Sequence, residues 1–498
     1  MGDTMQEKEK PPSLLMIVFA GGLLFGAWFL VLYPWIRYQF WQSDTFWLIE
    51  VGRLILEKHS LPTHDIYSFT STASQWIVYQ WLGEVIFALA HAADGLAGVA
   101  LLGGVLMAIL LFVLMFRRML KCGTNAIVGV AAIALTAYAY YPDFSSLRPQ
   151  LFSFVLFWLV MVLSADAKRG APIWKLLIWT FIISIFWANC HLSFLIAMVL
   201  LGANFAGALL SYLRKRSDKK LTLLFAAMIA TFTIGTLFTP YGISLWLFIA
   251  NTHNLYYSQE VQPLVWTDQK LLMTFAAVTT ASCFILRKKL EVSDFLFLVV
   301  AVLTGSNCAR LIVYFCIFSC PIIGEAVTHL LGSRLNQGTS GRLSQALKSV
   351  AMSRFYVFWI LALTTFIVLR QPTSIPRSIP IQAAKYLALH PIAGNMFCSA
   401  HAGSYLIYSS HGAIPVFMDT RIDLYDTRFC ERFVIALELG EHWKELFSQY
   451  KIVAALVPNG SKLRIVLDTQ SDWKQIYRDR EFSIYVQNDS SVSAGQNK

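Results

Sequence analysis

The chain has 498 residues, of which 56% are hydrophobic and 14% charged, with a formal net charge of +11. Soluble domains are about half apolar and about a quarter charged, so this shortage of charge excludes an ordinary soluble enzyme and points to a polytopic membrane protein. The Lys and Arg residues cluster beside the apolar stretches, which gives the basic excess a topological role and argues against nucleic acid as a partner.

A span needs about 20 apolar residues. Eleven stretches qualify or come close: 13–35, 96–116, 124–141, 151–165, 174–187, 192–213, 221–238, 270–286, 293–306, 309–328 and 355–370. The first lacks a small-residue cleavage site and is expected to be a retained helix. Basic clusters fall on alternate loops: Arg117-Arg118 with Lys121, Lys168-Arg169, Arg214-Lys215-Arg216 with Lys219-Lys220, and Arg287-Lys288-Lys289. The loop 329–354 adds Arg334, Arg342, Lys348 and Arg354. This alternation predicts a cytoplasmic N-terminus and places everything after Arg370 on the exported face.

The expected fold class is therefore an α-helical polytopic membrane domain, residues 1–370, followed by a soluble α/β domain, residues 371–498. Within the first, 36–95 forms a long exported loop. Asp44 to Glu57 has helical apolar spacing at Trp47, Ile49, Val51, Leu54 and Ile55, and Gln80 to Ala93 repeats the pattern. Such amphipathic helices are expected to lie in the membrane interface. Tyr241 to Leu255 reads as a third. Pro372, Pro376 and Pro380 mark a linker that resists helix. Beyond it, Ile381–His390, Phe429–Leu439 and His442–Tyr450 read as helices. Tyr405–Tyr408, Val416–Met418, Ile452–Val457 and Phe482–Val486 read as strands, at least partly parallel.

The eight cysteines show no CxxC and no Cys/His ligand spacing, so no zinc or iron–sulfur site is expected. Cys398 and Cys430 both fall in the C-terminal domain and could pair in an exported compartment; two free thiols are the expected state.

The chemistry-bearing residues gather at the exported ends of the spans. They are Asp44, Glu50, Glu84, Arg148, Gln150, Asn189, His191 and Arg310. An acid at the mouth of a membrane bundle is expensive to desolvate and is a functional candidate by default. Acids and cations at one membrane depth suit a lipid-phosphate substrate: Asp44, with Glu50 as the weaker candidate, would activate an acceptor, and the arginines would pair the phosphate. The bland alternative is that each Arg snorkels to the interface while Asn189 and His191 end their helices. In the tail, Asp419-Thr420-Arg421-Ile422-Asp423 follows an expected strand; Asp419 and Arg421 are substrate-binding candidates, or turn residues and caps.

At these residues the chain resembles the GT-C glycosyltransferase superfamily, in particular a widespread bacterial branch. Asp44 to Gly52 is similar to that branch's Asp-Trp-Trp-His-Leu-x-x-Gly segment. Pro62-Thr63-His64-Asp65-Ile66-Tyr67-Ser68-Phe69-Thr70, Trp81-Leu82-Gly83-Glu84, Arg148-Pro149-Gln150, Trp187-Ala188-Asn189-Cys190-His191 and Pro240-Tyr241-Gly242 follow in order. The tail adds Gly403-Ser404-Tyr405-Leu406 and Val416 to Tyr425. The resemblance implies an enzyme that moves a sugar from a polyprenyl-phosphate donor to a cell-envelope acceptor, with Asp44 as base, in a bacterial inner membrane. Four positions depart from the branch: Gln42 replaces an acid, Leu48 a His, and Tyr79-Gln80 a His-Glu pair. These losses weaken the case for a divalent metal, which wants several carboxylate oxygens, so no cofactor is expected. They also leave room for an inactive envelope-assembly scaffold. A lipid or polysaccharide transporter is the further alternative; it predicts mid-span charges and internal repeats, which the sequence lacks.

Overall fold

A computed structural model describes residues 12–38, 42–71, 73, 75–139, 146–216, 218–251, 263–335, 337–370 and 375–488. Its helices run α1 (Leu14–Tyr38), α2 (Asp44–Lys58), α3 (Trp81–Ala108), α4 (Ala126–Ala139), α5 (Gln150–Lys168), α6 (Ile173–Cys190) and α7 (Leu195–Leu213). They continue as α8 (Lys219–Thr236), α9 (Ile243–Asn251), α10 (Lys270–Ile285), α11 (Val292–Asn307), α12 (Ile312–Leu335), α13 (Gly338–Met352) and α14 (Phe355–Arg370). Among the described residues, seven helices are long and apolar enough to cross a membrane, and α13 with α14, bent by 80°, makes up to eight. Three further apolar helices, α4, α10 and α11, are shorter. The protein is an integral membrane protein, and each of the eleven expected spans falls on a helix.

Local chemistry sets the helix ends. Asp218 caps α8 by accepting the Lys220 N–H, and Glu291 with Asp294 forms a reciprocal capping box at α11. In the bundle centre Tyr314 of α12 packs edge-on against Phe157 and Phe154 of α5, at 5.1 and 5.7 Å between ring centroids.

The helix expected at Gln80–Ala93 does not end before the next span. α3 runs on through a kink at Asp94 and Gly95, whose φ of 54° suits glycine, and continues through a π-helical stretch, Ile109–Met115, to Lys121. The expected interfacial position of α2 is also corrected. Thr45 to Gly52 is buried without a break, because the C-terminal domain covers the face that periodicity assigns to water. Gly52 permits the close packing on α3: a Cβ there would lie 2.0 Å from the Glu84 carbonyl oxygen. The expected third amphipathic helix is α9 as far as Asn251; 252–255 lies outside the described residues.

After Arg370 come α15 (Ile381–Leu389), β1 (Asn395–Cys398), α16 (Ala400–Ser409), α17 (Thr427–Val434), α18 (Trp443–Gln449), β2 (Ile452–Pro458), α19 (Lys462–Asp468), β3 (Trp473–Arg478) and β4 (Phe482–Gln487). The sheet order is β1-β2-β4-β3. β1 and β2 are parallel, and the other pairs are antiparallel. Tyr405–Tyr408, expected as a strand, is helical. Ser399 caps that helix by accepting the Ala402 N–H, and its apolar run is buried, with Tyr405 packed against Phe46 of α2. Val416–Met418 forms no sheet strand; Val416 makes a single parallel bridge to Ser68 in the loop after α2. All eight cysteines are free thiols.

Candidate functional site

The segments that carried the sequence motifs converge at the end of the bundle covered by the C-terminal domain. Gly83 in α3 lies so close to Pro149 that a Cβ would stand 2.7 Å from the proline Cβ, with the Cys190 carbonyl oxygen at 3.4 Å. Alongside, residues 146–150 run past the start of α2. Ser146 Oγ donates to Gln42 Oε1 at 2.7 Å, and the Thr45 hydroxyl donates to the Leu147 carbonyl at 2.7 Å. These two bonds bring Arg148 to Asp44, where Nη2 lies 2.8 Å from Oδ2. Both side chains are largely shielded, at 10% and 18% exposure.

The C-terminal domain closes the other side of Asp44. The Thr420 hydroxyl donates to Asp44 Oδ1. Its oxygen accepts from Trp47 Nε1 at 3.1 Å and lies 2.8 Å from Ser404 Oγ. One residue before Asp44, Ser43 Oγ lies 2.7 Å from His401 Nδ1.

His191 sits at the break between α6 and the short turn Leu192–Phe194, its backbone extended. Nδ1 accepts the Ser193 N–H at 3.1 Å, so the ring proton resides on Nε2. Burial, with the Arg310 and Arg148 guanidinium groups beside it, pushes the imidazole down to about 3. His191 is thus a neutral N–H donor that feels the charge of both guanidinium groups. Tyr79 is pushed well above the ordinary phenol range, first by burial and then by Asp423, with Arg310 opposing and Glu84 and Asp44 adding to the rise. Through these shared neighbours Asp44, Arg148, His191 and Arg310 occupy one electrostatic neighbourhood.

The other candidates have different surroundings. Glu84 and Gln150 are buried, and Glu84 Oε2 and Gln150 Nε2 make no hydrogen bond among the described residues. Asn189 is committed to the scaffold: Oδ1 accepts from Trp81 Nε1 at 2.7 Å, and Nδ2 donates to the Ile185 and Phe238 carbonyls at 2.8 and 2.9 Å. Glu50 belongs to a separate cluster. Its carboxylate, 2% exposed, pairs with Arg53, and Oε2 lies 3.2 Å from His411 Nδ1.

Asp419 and Arg421 are almost wholly buried, at 0% and 1% side-chain exposure. Arg421 Nε and Nη2 bind the two Asp419 oxygens at 2.9 and 2.7 Å, and Nη1 lies 2.9 Å from Asp65 Oδ1. The Trp76 ring covers the guanidinium at 4.6 Å. Asp65 in turn accepts the Tyr67 and Ser68 N–H groups at 3.1 Å. The loop then runs along the domain, with Val416 N–H donating to the Tyr67 carbonyl at 2.9 Å and Phe69 N–H to the Val416 carbonyl at 3.2 Å. This charged clasp fastens the C-terminal domain to the first long loop and thereby positions Thr420.

Sequence reasoning missed Asp65, Thr420 and His401 as members of this assembly. Asp65 and Thr420 lay inside recognised motifs, between residues with louder chemistry. Nothing local marks His401.

The donor set around Asp44 does not fit a divalent cation. A guanidinium stands on Asp44 Oδ2, a hydroxyl donates to Oδ1, and the neighbouring side chain is Gln42, whose Oε1 is taken by Ser146. A hard cation asks for several free carboxylate oxygens.

No protein-family model matches the chain, and no curated protein matches it by sequence. Solved structures do match. The archaeal oligosaccharyltransferase AglB from Archaeoglobus fulgidus, in complex with an inhibitory peptide and a dolichol-phosphate, superposes with a TM-score of 0.57 at 9% identity, over 90% of this chain and 70% of that one. ArnT from Cupriavidus metallidurans, bound to undecaprenyl phosphate, gives 0.52 at 13% identity, over 96% and 99%. Its apo state gives 0.55 at 12%. The chain has the GT-C fold of these polytopic membrane proteins.

Proposed function

We propose that this protein is a membrane glycosyltransferase that moves a sugar from a polyprenyl-phosphate-linked donor to a cell-envelope acceptor. The observation that carries the reading is Asp44 held between Arg148 and Thr420 at the covered end of a GT-C bundle. Transfer needs a group that activates the acceptor and cations that stabilise the departing phosphate. Asp44 is the acid for the first task. Arg148 and Arg310 are the cations for the second, and the His191 Nε2–H is a neutral donor for phosphate or sugar. The polyprenyl phosphates bound by the structural neighbours support this substrate class. The scheme uses no divalent cation, because Arg148 supplies the positive charge beside Asp44.

Basic residues on alternate loops support a cytoplasmic N-terminus and an exported C-terminal domain; a bacterial inner-membrane location follows from the family resemblance. One observation favours the scaffold alternative: both Asp44 oxygens are already engaged. Purified protein in lipid nanodiscs, supplied with a panel of polyprenyl-phosphate sugars and envelope acceptors, separates the two readings. Transfer by the wild type that falls at least about 100-fold in Asp44→Asn, in the range seen when activation of the acceptor is lost, supports the enzyme. Binding of polyprenyl phosphate without any transfer would sink it.

A further inference from the structure

Asp44 stands between two halves of the site. Arg148, Arg310 and His191 come from segments at the ends of membrane helices. Thr420, Ser404 and His401 come from the C-terminal domain. His401 lies in the first turn of α16, next to the capping Ser399. Its Nδ1 is held 2.7 Å from Ser43 Oγ, which sets the orientation of the ring. The side chain is reachable by solvent, and Nε2 has no hydrogen-bond partner among the described residues.

We propose that His401 is a further catalytic residue of the transfer site, taking the acceptor's proton at Nε2 while Asp44 aligns the acceptor hydroxyl. The proposal rests on the transferase reading above. In the step, the acceptor oxygen forms a bond to the anomeric carbon as the bond from that carbon to the phosphate oxygen breaks. Polyprenyl phosphate leaves with the electron pair. The acceptor's proton passes to the Nε2 lone pair, and the imidazolium, its Nδ1–H directed at Ser43 Oγ, later releases a proton to solvent.

The geometry favours His401 for this task over Asp44 alone, since Asp44 already accepts from Arg148 and Thr420 whereas Nε2 is free. Partial burial holds the imidazole below its ordinary range; Asp44 opposes this and Arg148 adds to it. The lone pair is therefore available at neutral pH, and the Asp44 carboxylate is at hand to stabilise the imidazolium. Of the other charged groups on elements packed against α16, Glu50 of α2 is occupied by Arg53 and His411, and Lys385 of α15 is exposed.

The test is the pH dependence of kcat/KM for the acceptor in wild type, His401→Gln and His401→Asn, each with polyprenyl-phosphate binding measured alongside. The Asn amide can still reach Ser43, so it separates proton acceptance from ring anchoring. Both variants should lower kcat about 10²-fold or more, remove the acid limb seen in wild type, and leave polyprenyl-phosphate Kd unchanged. Wild-type transfer with either variant keeping its rate and acid limb would overturn the proposal alone. Variants that lose lipid binding together with activity would make His401 a structural residue and also overturn it. Absence of transfer by the wild type would sink the transferase reading and this proposal with it.

Discussion

The Thr420 hydroxyl donates to Asp44 across 376 positions of sequence, so the C-terminal domain reaches the acid that begins the first helix after the N-terminal span. A domain that merely decorated the membrane bundle would leave that carboxylate to water. Here the domain shapes the carboxylate's surroundings, and its attachment becomes part of the site's geometry.

That attachment depends on Arg421. Replacing it with Ala leaves Asp65 and Asp419 buried without their cation, and breaking a buried pair in this way costs about 3–5 kcal/mol. Arg421→Ala should lower the thermal unfolding temperature in detergent and expose the segment around 375–380 to protease. A variant with wild-type unfolding and protease resistance would show that the clasp contributes nothing to docking.

Arg310→Ala should weaken donor binding more than it slows chemistry, because the proposed role of the guanidinium is to pair phosphate. A hydrogen bond to a charged group is worth about 1.5–3 kcal/mol, which corresponds to roughly 10- to 150-fold in Kd. Native mass spectrometry or calorimetry with polyprenyl phosphate measures this directly. An unchanged Kd would remove Arg310 from the phosphate site.

His191 predicts a pH dependence of stability with a definite sign. Its folded pKa is depressed from 6.5 to about 3 by burial and then by Arg310 and Arg148. Between those values the unfolded chain binds a proton that the folded chain does not, so stability rises with pH through this window. The contribution is fully present above about 6.5 and is lost as pH falls toward 3. His191→Gln should flatten the unfolding temperature between pH 4 and pH 7 relative to wild type. A variant with the same slope as wild type would assign the acid sensitivity to other groups.

Orientation is testable with one fusion. A reporter active only outside the cytoplasm, joined after Lys498, should be active. A stable fusion that stays silent there, while a cytoplasm-active reporter at the same position works, would invert every face assignment drawn from the basic loops.

The eleven helices were readable because partition into a bilayer is local. A run such as Leu192 to Leu213 is apolar whatever its neighbours are, and the basic residues that follow it carry their charge wherever they lie. Asp44 and Arg148 stand out in the sequence for the same reason, each near the end of an apolar run, and the structure pairs them. The sheet of the C-terminal domain was readable only in part. Ile452–Val457 has a strand's buried run, but Tyr405–Tyr408 has one too, and only the Ser399 cap and the packing of Phe46 against Tyr405, at 4.9 Å between ring centroids, make it a helix.

What tertiary structure alone decided is who partners whom. Glu50 and Asp44 lie in the same helix and look alike in sequence, yet one is tied to Arg53 and His411 and the other faces Arg148 and Thr420. Asp419 and Arg421 read as substrate ligands until Asp65 is seen to complete their ion cluster. His401 carries no local mark, and its place beside Ser43 is set by how the C-terminal domain docks on α2. Hydrophobic burial is summed along the chain, whereas a hydrogen bond or ion pair has value only at about 3 Å and in the right direction. Composition therefore determined where the membrane helices are, and the packing of distant segments determined what each polar side chain meets.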